Sequence, residues 1–360
     1  MATPLEDEIR RRIETAGALT VADYMQLCLG HPAHGYYVTR DPLGQSGDFI
    51  TAPEISQMFG ELIGLWTATV WRMMGEPSAV NLVELGPGRG TMMADALRAA
   101  KVLPAFTQAI AVHLVETSPA LRARQREALE GSSTPITWHD ALASVPQAPA
   151  IYLANEFFDA LPVHQAVRGR EGWRERVVTL GEEGRLRFGL GADLPASAVP
   201  AALHAAPQGA IFEWRDQDTT RALAARVSHC GAALIIDYGH VCSATGDTFQ
   251  AMRAHGFHDP LVAPGTADLT AHVDFEALGA AAAEAGAQMH GPVEQRLFLQ
   301  RLGIVQRAAL LRGKASPAQA RDIETALDRL TDSAPSGMGR LFKVVALSAP
   351  PLGPLPGFDL

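Results

Sequence analysis

The sequence predicts an α/β protein built on a doubly wound, mostly parallel Rossmann-like sheet. An apolar strand at 80–85 runs directly into a glycine-rich turn and a helix. Further short apolar strands then alternate with helical segments. Hydrophobic residues make up 47% of the chain and charged residues 19%, which suits a large buried core. An N-terminal helical cap and a β-hairpin and helical insertion complete the predicted fold.

The 360 residues divide into four predicted segments. Residues 1–75 form an N-terminal helical cap and a cofactor-covering loop, and 76–164 form the first part of the cofactor-binding core. Residues 165–215 are an inserted β-hairpin that serves as a lid or a partner-binding surface. Residues 216–360 supply the second part of the core, with a helical insertion and a terminal strand.

The N-terminal segment begins with two predicted helices, Leu5–Thr15 and Thr20–Leu29. A stretch rich in Gly, Pro and small polar residues follows at 40–57 and leads into a long helix, Ile55–Met74. Loops of this length usually serve a site or are disordered. Because this one contains Phe49 and Ile50, we expect it to fold over a cofactor; a mobile surface connector is the alternative.

Composition narrows the class of protein. A formal net charge of -9 disfavours a nucleic-acid-binding protein. The three cysteines are scattered without a C-x-x-C pair, which argues against a disulfide framework or a structural zinc site. No run of eighteen apolar residues and no apolar leader occurs. These features predict a cytoplasmic protein without membrane insertion.

The glycine turn after the first core strand indicates the ligand. A dinucleotide fingerprint would require a third glycine at position 91, which is Thr91. The chain instead has Glu84, Gly86, Gly88 and Gly90, which resembles the first motif of class I S-adenosylmethionine (SAM) methyltransferases. Side-chain-free residues let backbone amides approach the amino-acid part of SAM, and a carboxylate can bind its ammonium group. A turn needed only for strand–helix packing is the alternative.

Two further strand ends carry acids. The predicted strand Ile110–Val115 ends at Glu116, where a carboxylate could bind the ribose hydroxyls; a helix-start acid is the alternative. A short strand, Pro135–Trp138, precedes Asp140, which could lie near the adenine amino group or act as a structural cap.

The strand Ala150–Ala154 ends at Asn155, beside the expected position of the transferred group. Asn155-x-x-Phe158 partly matches the Asn/Asp-Pro-Pro-Tyr/Phe pattern of amino-methylating enzymes, but both prolines are missing. The match therefore supports a site position more than it identifies the acceptor.

In the second half of the chain, Ala232–Ile236 forms a strand that ends at Asp237, and Ala287–Glu294 and Leu341–Leu347 supply further strands. The later loops are rich in histidine and aspartate. Their spacing matches no metal-binding signature, so no metal is predicted.

Five longer strings carry a more specific resemblance, and they extend over nearly the whole chain. They are Gly47–Gln57, Leu82–Thr91, Asn155–Val163, Asp237–Gly239 and Asp268–Phe275. Together they resemble the MidA family, which contains the mitochondrial complex I assembly-factor methyltransferase and its bacterial relatives. The resemblance implies a class I SAM-dependent fold and, for the mitochondrial member, symmetric dimethylation of an arginine in a complex I subunit.

The resemblance also implies roles for individual residues. Those for the cofactor are Glu84, Gly86, Gly88 and Gly90 for the methionine part, Glu116 for the ribose, Asp140 for the adenine edge, and Asp48, Thr51 and Pro53 for the covering segment. Asn155, Glu156 and Asp159 fall on the acceptor side. Familiar arginine methyltransferases place two glutamates around the guanidinium, whereas this chain offers Glu156 and then Asp159. We expect Glu156, assisted by Asp159 or Asp237, to bind the guanidinium; helix capping by these acids is the alternative.

The sequence therefore predicts a SAM-dependent methyltransferase, specifically a protein arginine N-methyltransferase that acts on a respiratory complex I subunit. The expected partner is a protein substrate, with a possible homodimer and no nucleic acid. A non-catalytic SAM-binding assembly factor is one alternative. A nicotinamide-dependent oxidoreductase is another, although the glycine spacing does not support it.

Overall fold

The computed structural model describes residues 3–39 and 51–358. Its α-helices in chain order are α1 (Pro4–Ala16), α2 (Val21–Gly30), α3 (Tyr36–Thr39), α4 (Ala52–Ile55), α5 (Gln57–Met73), α6 (Thr91–Ala100), α7 (Pro104–Ala109), α8 (Pro119–Ala128), α9 (Asp218–Cys230), α10 (Phe275–Glu284), α11 (Gln295–Arg301), α12 (Ile304–Arg312), α13 (Pro317–Thr331) and α14 (Met338–Leu341). Short 3-10 helices occupy Leu142–Ser144, Glu182–Gly184, Ala196–Ala198, Ala201–Leu203 and Pro350–Leu352.

The strands in chain order are β1 (Leu19–Thr20), β2 (Val80–Leu85), β3 (Ile110–Val115), β4 (Ile136–His139), β5 (Ala150–Asn155), β6 (His164–Arg168), β7 (Trp173–Leu180), β8 (Leu186–Leu194), β9 (Ile211–Trp214), β10 (Gly231–His240), β11 (Gln250–Arg253), β12 (Gly256–His258), β13 (Asp268–Thr270), β14 (Val273–Asp274), β15 (Gln288–Glu294) and β16 (Phe342–Ser348).

The chain forms two compact units, each assembled from separate stretches. The first unit contains the described residues of Met1–Phe49, Asp159–Asp216 and His240–Glu276. The second contains those of Ile50–Phe158, Gln217–Gly239 and Ala277–Leu360. The four predicted segments, 1–75, 76–164, 165–215 and 216–360, remain a prediction.

The second unit is organised around one sheet with the order β15-β16-β10-β5-β2-β3-β4. The strands β10, β5, β2, β3 and β4 run parallel, whereas β16 is antiparallel to both β10 and β15. Every residue of β2 and β5 is buried, as expected when helices cover both faces of a parallel sheet. This mostly parallel sheet confirms the predicted fold class.

In the second unit, the helices α5 and α6 pack against each other at very short distance. A Cβ atom added at Gly60 would lie 2.6 Å from the Asp95 Cβ, and one added at Gly64 would lie 2.5 Å from the Ala96 carbonyl oxygen. Only glycine at these positions allows α5 to pack this closely on α6. The helix that follows the glycine turn is thereby fixed against a long buried helix.

The first unit contains two antiparallel sheets. One has the order β1-β7-β6-β9, with β8 paired to β7, and the other has the order β12-β11-β13. The pair β7 and β8 is the predicted hairpin. A hydrophobic cluster that includes Leu5, Tyr24, Met25 and Val178 joins α1 and α2 to this sheet.

The structure differs from the predicted Ile55–Met74 helix at its start. Ser56 has an extended backbone (φ -161°, ψ 139°), so α4 and α5 are separate helices. The Ser56 hydroxyl accepts a hydrogen bond from the Met58 amide at 3.2 Å and caps α5. Phe49 and Ile50, the apolar residues of the predicted covering loop, lie outside the described residues, as does Asp48.

Candidate functional site

The glycine turn that follows β2 has an alternating left-handed backbone. The φ angles of Gly86, Gly88 and Gly90 are 62°, 54° and 84°. Residues with a side chain rarely adopt this conformation, so glycine is needed at each position. A Cβ atom at Gly86 would also lie only 2.9 Å from the Phe157 ring.

Glu84 lies within β2, two residues before the turn, and is 2% exposed. Its Oε2 atom is buried and accepts no hydrogen bond from any residue that the structure describes. Burial raises the pKa of this carboxyl to about 8. A buried acid without a donor is costly, so this carboxyl is suited to a cationic ligand group.

Glu116 follows β3 and is 8% exposed. Its Oε1 atom accepts a hydrogen bond from the Ser118 amide at 2.8 Å, and its Oε2 atom lies 3.3 Å from the Gln125 amide nitrogen. Burial raises the pKa of Glu116, and these donors act in the opposite direction. The predicted ribose carboxylate is therefore held in a defined orientation.

Gln125, on α8, is fully buried and was not singled out by the sequence. Its Nε2 atom donates to the Gly88 carbonyl at 2.7 Å, and its Oε1 atom accepts from the Trp138 indole at 2.8 Å. The structure thus brings the glycine turn, Glu116 and the end of β4 together around one amide. No local motif signals this contact.

Asp140 lies at the surface, with 85% of its side chain exposed, and forms an ion pair with Arg122 at 2.6 Å. The Arg122 Nε atom also donates to the Glu116 carbonyl at 2.7 Å. The predicted adenine-edge residue is therefore joined to the predicted ribose residue through one arginine.

The turn after β5 contains a strained glutamate. Glu156 has φ 52°, a left-handed conformation that is unfavourable for a residue with a side chain. Its amide donates to the Ile236 carbonyl at 2.9 Å, and its Oε1 atom accepts from the Asn155 side chain and from the Ala52 amide, both at 3.1 Å. The two predicted residues Asn155 and Glu156 are thus in direct contact.

Asp237 lies in β10, beside β5, and is fully buried. Its Oδ2 atom accepts from the amides of Phe157 and Phe158 at 3.2 and 2.9 Å, and its Oδ1 atom accepts from its neighbour Tyr238 at 2.9 Å. Both carboxylate oxygens therefore bind backbone amides. This geometry favours a role in shaping the turn that carries Glu156.

The short helix α4 contacts both turns of the second unit. Thr51 precedes it, and Pro53 lies buried in its first turn. Glu54 accepts a hydrogen bond from the Thr91 hydroxyl, and its other oxygen lies 3.9 Å from Arg89. The predicted cover residues Thr51 and Pro53 are therefore next to groups that contact the glycine turn and Glu156.

Asp159 belongs to the first unit and is 5% exposed. Its carbonyl accepts hydrogen bonds from the Ala271 amide and the Arg215 guanidinium, both at 3.1 Å. Arg215 also donates to the carbonyls of Leu161, Ala271 and His272. The guanidinium thereby fixes the backbone of the segment that begins at Asp159.

In residues 3–39 and 51–358, no group of three or more His, Cys, Asp or Glu side chains is arranged to hold a metal ion. The absence of a metal therefore stays a prediction. The helices of the same residues include none with the length and apolar character needed to cross a membrane.

The geometry fits SAM on two observations. The three left-handed glycines leave the backbone of the turn bare at positions 86, 88 and 90, and the buried Glu84 Oε2 atom accepts no hydrogen bond from residues 3–39 and 51–358. The carboxylate of an amino acid could accept hydrogen bonds from the backbone amides of such a turn, and its ammonium group could donate to the Glu84 carboxylate. Together with the parallel sheet, this defines the class of protein as a SAM-dependent α/β methyltransferase.

Comparison with known proteins gives the family. Residues 62–293 match the family described as "Putative S-adenosyl-L-methionine-dependent methyltransferase". The chain belongs to this family, and the predicted resemblance, enzyme class and cofactor are confirmed.

The chain is 41% identical to a fruit fly protein named "Protein arginine methyltransferase NDUFAF7 homolog, mitochondrial"; the match covers 95% of this chain and 84% of the Drosophila melanogaster protein. It is 40% identical to the human "Protein arginine methyltransferase NDUFAF7, mitochondrial", over 96% of this chain and 83% of that protein. These relatives are named as mitochondrial, so the predicted cytoplasmic localisation is wrong. Reduced cysteines and acidic composition do not distinguish the two compartments.

A crystal structure from Burkholderia thailandensis, described as a "likely methyl transferase" bound to S-adenosyl-homocysteine, has a similar fold. It superposes with a TM-score of 0.85 at 30% identity, over 99% of this chain and 92% of that one.

Proposed function

We propose that this methyltransferase transfers the methyl group of SAM to the side chain of an arginine in a protein. Two relatives that match nearly the whole chain are named as protein arginine methyltransferases. The observation that carries the proposal is the turn after β5, in which a strained backbone presents the Glu156 carboxylate beside Asn155.

The second unit would hold the methyl donor through three groups. The amides of the glycine turn and the Glu84 carboxylate would bind its amino-acid part, and Glu116 would accept hydrogen bonds from its ribose. Thr51 and Pro53 would belong to its cover, and Asp140 would face its adenine edge. When bound, SAM supplies a methyl group on a positively charged sulfur, which is already electrophilic.

The acceptor requires a different kind of assistance. Guanidinium is a poor nucleophile because its lone pairs are delocalised and its pKa lies above about 12. Glu156 would bind two guanidinium N–H groups, orient one nitrogen, and stabilise the positive charge of the acceptor until the displaced proton passes to water. Asp159 would assist it. Asp237 would act through the Phe157 and Phe158 amides, which it already binds.

We further propose that the product is a symmetrically dimethylated arginine in a complex I subunit, and that the enzyme can act as a homodimer. The product and the acceptor follow the predicted family resemblance, and the names of the relatives support arginine methylation alone. Light scattering coupled to size-exclusion chromatography would measure the oligomeric state.

Incubation with SAM and purified complex I subunits tests the acceptor. Mass spectrometry should detect dimethylarginine, with fragment ions of the symmetric isomer. Methylation of other side chains alone would contradict the arginine assignment. Binding of SAM with no methylated product would instead favour a non-catalytic assembly factor, which is the alternative.

A further inference from the structure

The buried amide of Gln125 contacts both halves of the proposed cofactor site. Indole nitrogen can only donate, so the contact with Trp138 at 2.8 Å requires the Gln125 oxygen to face the indole. The amide nitrogen must then face the Gly88 carbonyl at 2.7 Å and the Glu116 carboxylate at 3.3 Å. Both amide protons are thereby engaged.

The glycine turn also leaves room for this contact. A Cβ atom at Gly90 would lie 3.2 Å from the Gln125 Cα, closer than nearly all contacts of that kind. Glycine at position 90 therefore allows α8 to pack closely against the turn, and it also allows the left-handed backbone. The amide reaches the Gly88 carbonyl because α8 packs this closely.

We propose that Gln125 is a positioning residue that fixes the glycine turn and the Glu116 carboxylate relative to each other, so that one ligand can engage both. The inference rests on the proposed cofactor roles of Gly88 and Glu116. It assigns to α8 and Trp138 a part in selecting ligands that carry both a ribose and an amino-acid tail.

The test measures binding of S-adenosyl-homocysteine by calorimetry in Gln125→Leu. Loss of a hydrogen bond to a charged group should weaken binding about tenfold or more. The affinity for adenosine, which lacks the amino-acid tail, should fall less. Equal losses for the two ligands would overturn the proposal.

The pH midpoint of S-adenosyl-homocysteine binding is a second measurement. A general loss of stability in the variant would not shift this midpoint. The Gln125 N–H group lowers the pKa of Glu116, so its removal should raise the pH below which binding is lost. Arg122, His139 and Asp140 also surround Glu116, and Glu84 lies on the neighbouring strand. All four are unchanged in the variant, so a shifted midpoint reports the loss of Gln125.

Gln295→Leu is the matched control. Gln295 is also fully buried in the second unit and donates to a backbone carbonyl, that of Leu330, at 3.0 Å. This variant should keep the wild-type affinity and pH midpoint. A loss of affinity equal to that of Gln125→Leu would contradict the proposal.

Trp138→Phe tests the same network if Gln125→Leu does not fold. It removes the indole donor that orients the amide, and it should weaken binding in the same direction by a smaller factor. Wild-type affinity in this variant would overturn the proposal. Failure of the wild-type protein to bind S-adenosyl-homocysteine would instead reject the proposed cofactor site itself.

Discussion

The two turns at the ends of β2 and β5 use the same backbone conformation for different purposes. After β2, the left-handed positions are glycines, so the turn presents bare backbone at Gly86, Gly88 and Gly90. After β5, the left-handed residue is Glu156, and the turn presents a carboxylate. Of these two turns, only the second therefore carries the backbone strain of roughly 1–3 kcal/mol that glycine avoids. In the proposed function, the first turn would therefore bind through bare backbone and the second through a carboxylate.

The largest expected effect comes from neutralising the charge in the second turn. Glu156→Gln should lower kcat by about 10²–10³-fold because the amide cannot stabilise the positive charge of the acceptor. The Kd for S-adenosyl-homocysteine should stay nearly constant, since the first turn is intact. Steady-state kinetics and calorimetry measure the two quantities.

Glu76 supplies a control for this substitution. It is another glutamate of the second unit with a left-handed backbone, φ 55°, and it pairs with Arg72 at the surface. Glu76→Gln should leave both quantities unchanged. Equal losses of kcat and affinity in Glu156→Gln would reject the role of Glu156.

The next largest effect should come from a side chain in the first turn. Gly86→Val forces a β-branched residue into φ 62° and pushes on the Phe157 ring. The affinity for S-adenosyl-homocysteine should fall by roughly tenfold to a hundredfold. Gly131→Val imposes similar strain, at φ 82°, in open space, and should lower stability alone. Equal affinity in the two variants would show that the first turn is not a binding element.

The pKa of Glu84 makes the first turn sensitive to pH. Its folded-state pKa, about 8, lies above the ordinary value of 4.5, so the folded protein holds the proton more tightly than the unfolded chain. This contribution to stability is fully present below pH 4.5 and is lost as pH rises to about 8, by at most about 1.4 kcal/mol per pH unit. Denaturant titrations should show a weaker decline in Glu84→Gln.

Ligand binding offers a second measurement on the same carboxyl. An ammonium group beside Glu84 would favour its ionised form, so binding of S-adenosyl-homocysteine near pH 7 should release a proton. Calorimetry in buffers of different ionisation enthalpy detects it. An unchanged protonation state would contradict the contact between Glu84 and the ammonium.

The smallest effect is expected at the support of the second turn. Asp237→Asn places an amide group against backbone donors and should cost about 1–3 kcal/mol of unfolding free energy. The kcat should fall less than in Glu156→Gln. Asp328→Asn, at an exposed position on α13, should be neutral. A kcat loss in Asp237→Asn as large as that of Glu156→Gln would indicate direct contact with the acceptor.

Sequence predicted the first turn better than the second because its requirements are local. Glycine spacing after an apolar strand reports both a left-handed backbone and a ligand class. Glu156 was also identified by its place at a strand end, but its backbone strain could not be. The strain depends on contacts with Ala52 and Ile236, which lie far away in the chain.

Long-range hydrogen bonds explain what the sequence could not predict. Gln125 contacts Gly88 across 37 residues and Trp138 across 13, and its helix position resembles that of any buried polar residue. The sequence predicts that a strand ends at Asp237, whereas in the structure β10 continues to His240. Both carboxylate oxygens of Asp237 accept hydrogen bonds from backbone amides, two of them in the turn after β5. The sequence of β10 contains no pattern that predicts these contacts.

The helix α4 forms hydrogen bonds with both turns of the second unit. Its residues Ala52 and Glu54 contact Glu156 and Thr91 respectively, and they are two positions apart on one helical turn. Two helical residues advance by only about 3 Å along the axis. Both turns are therefore tied to the same short helix, and lengthening α4 by one residue would displace one of these contacts relative to the other.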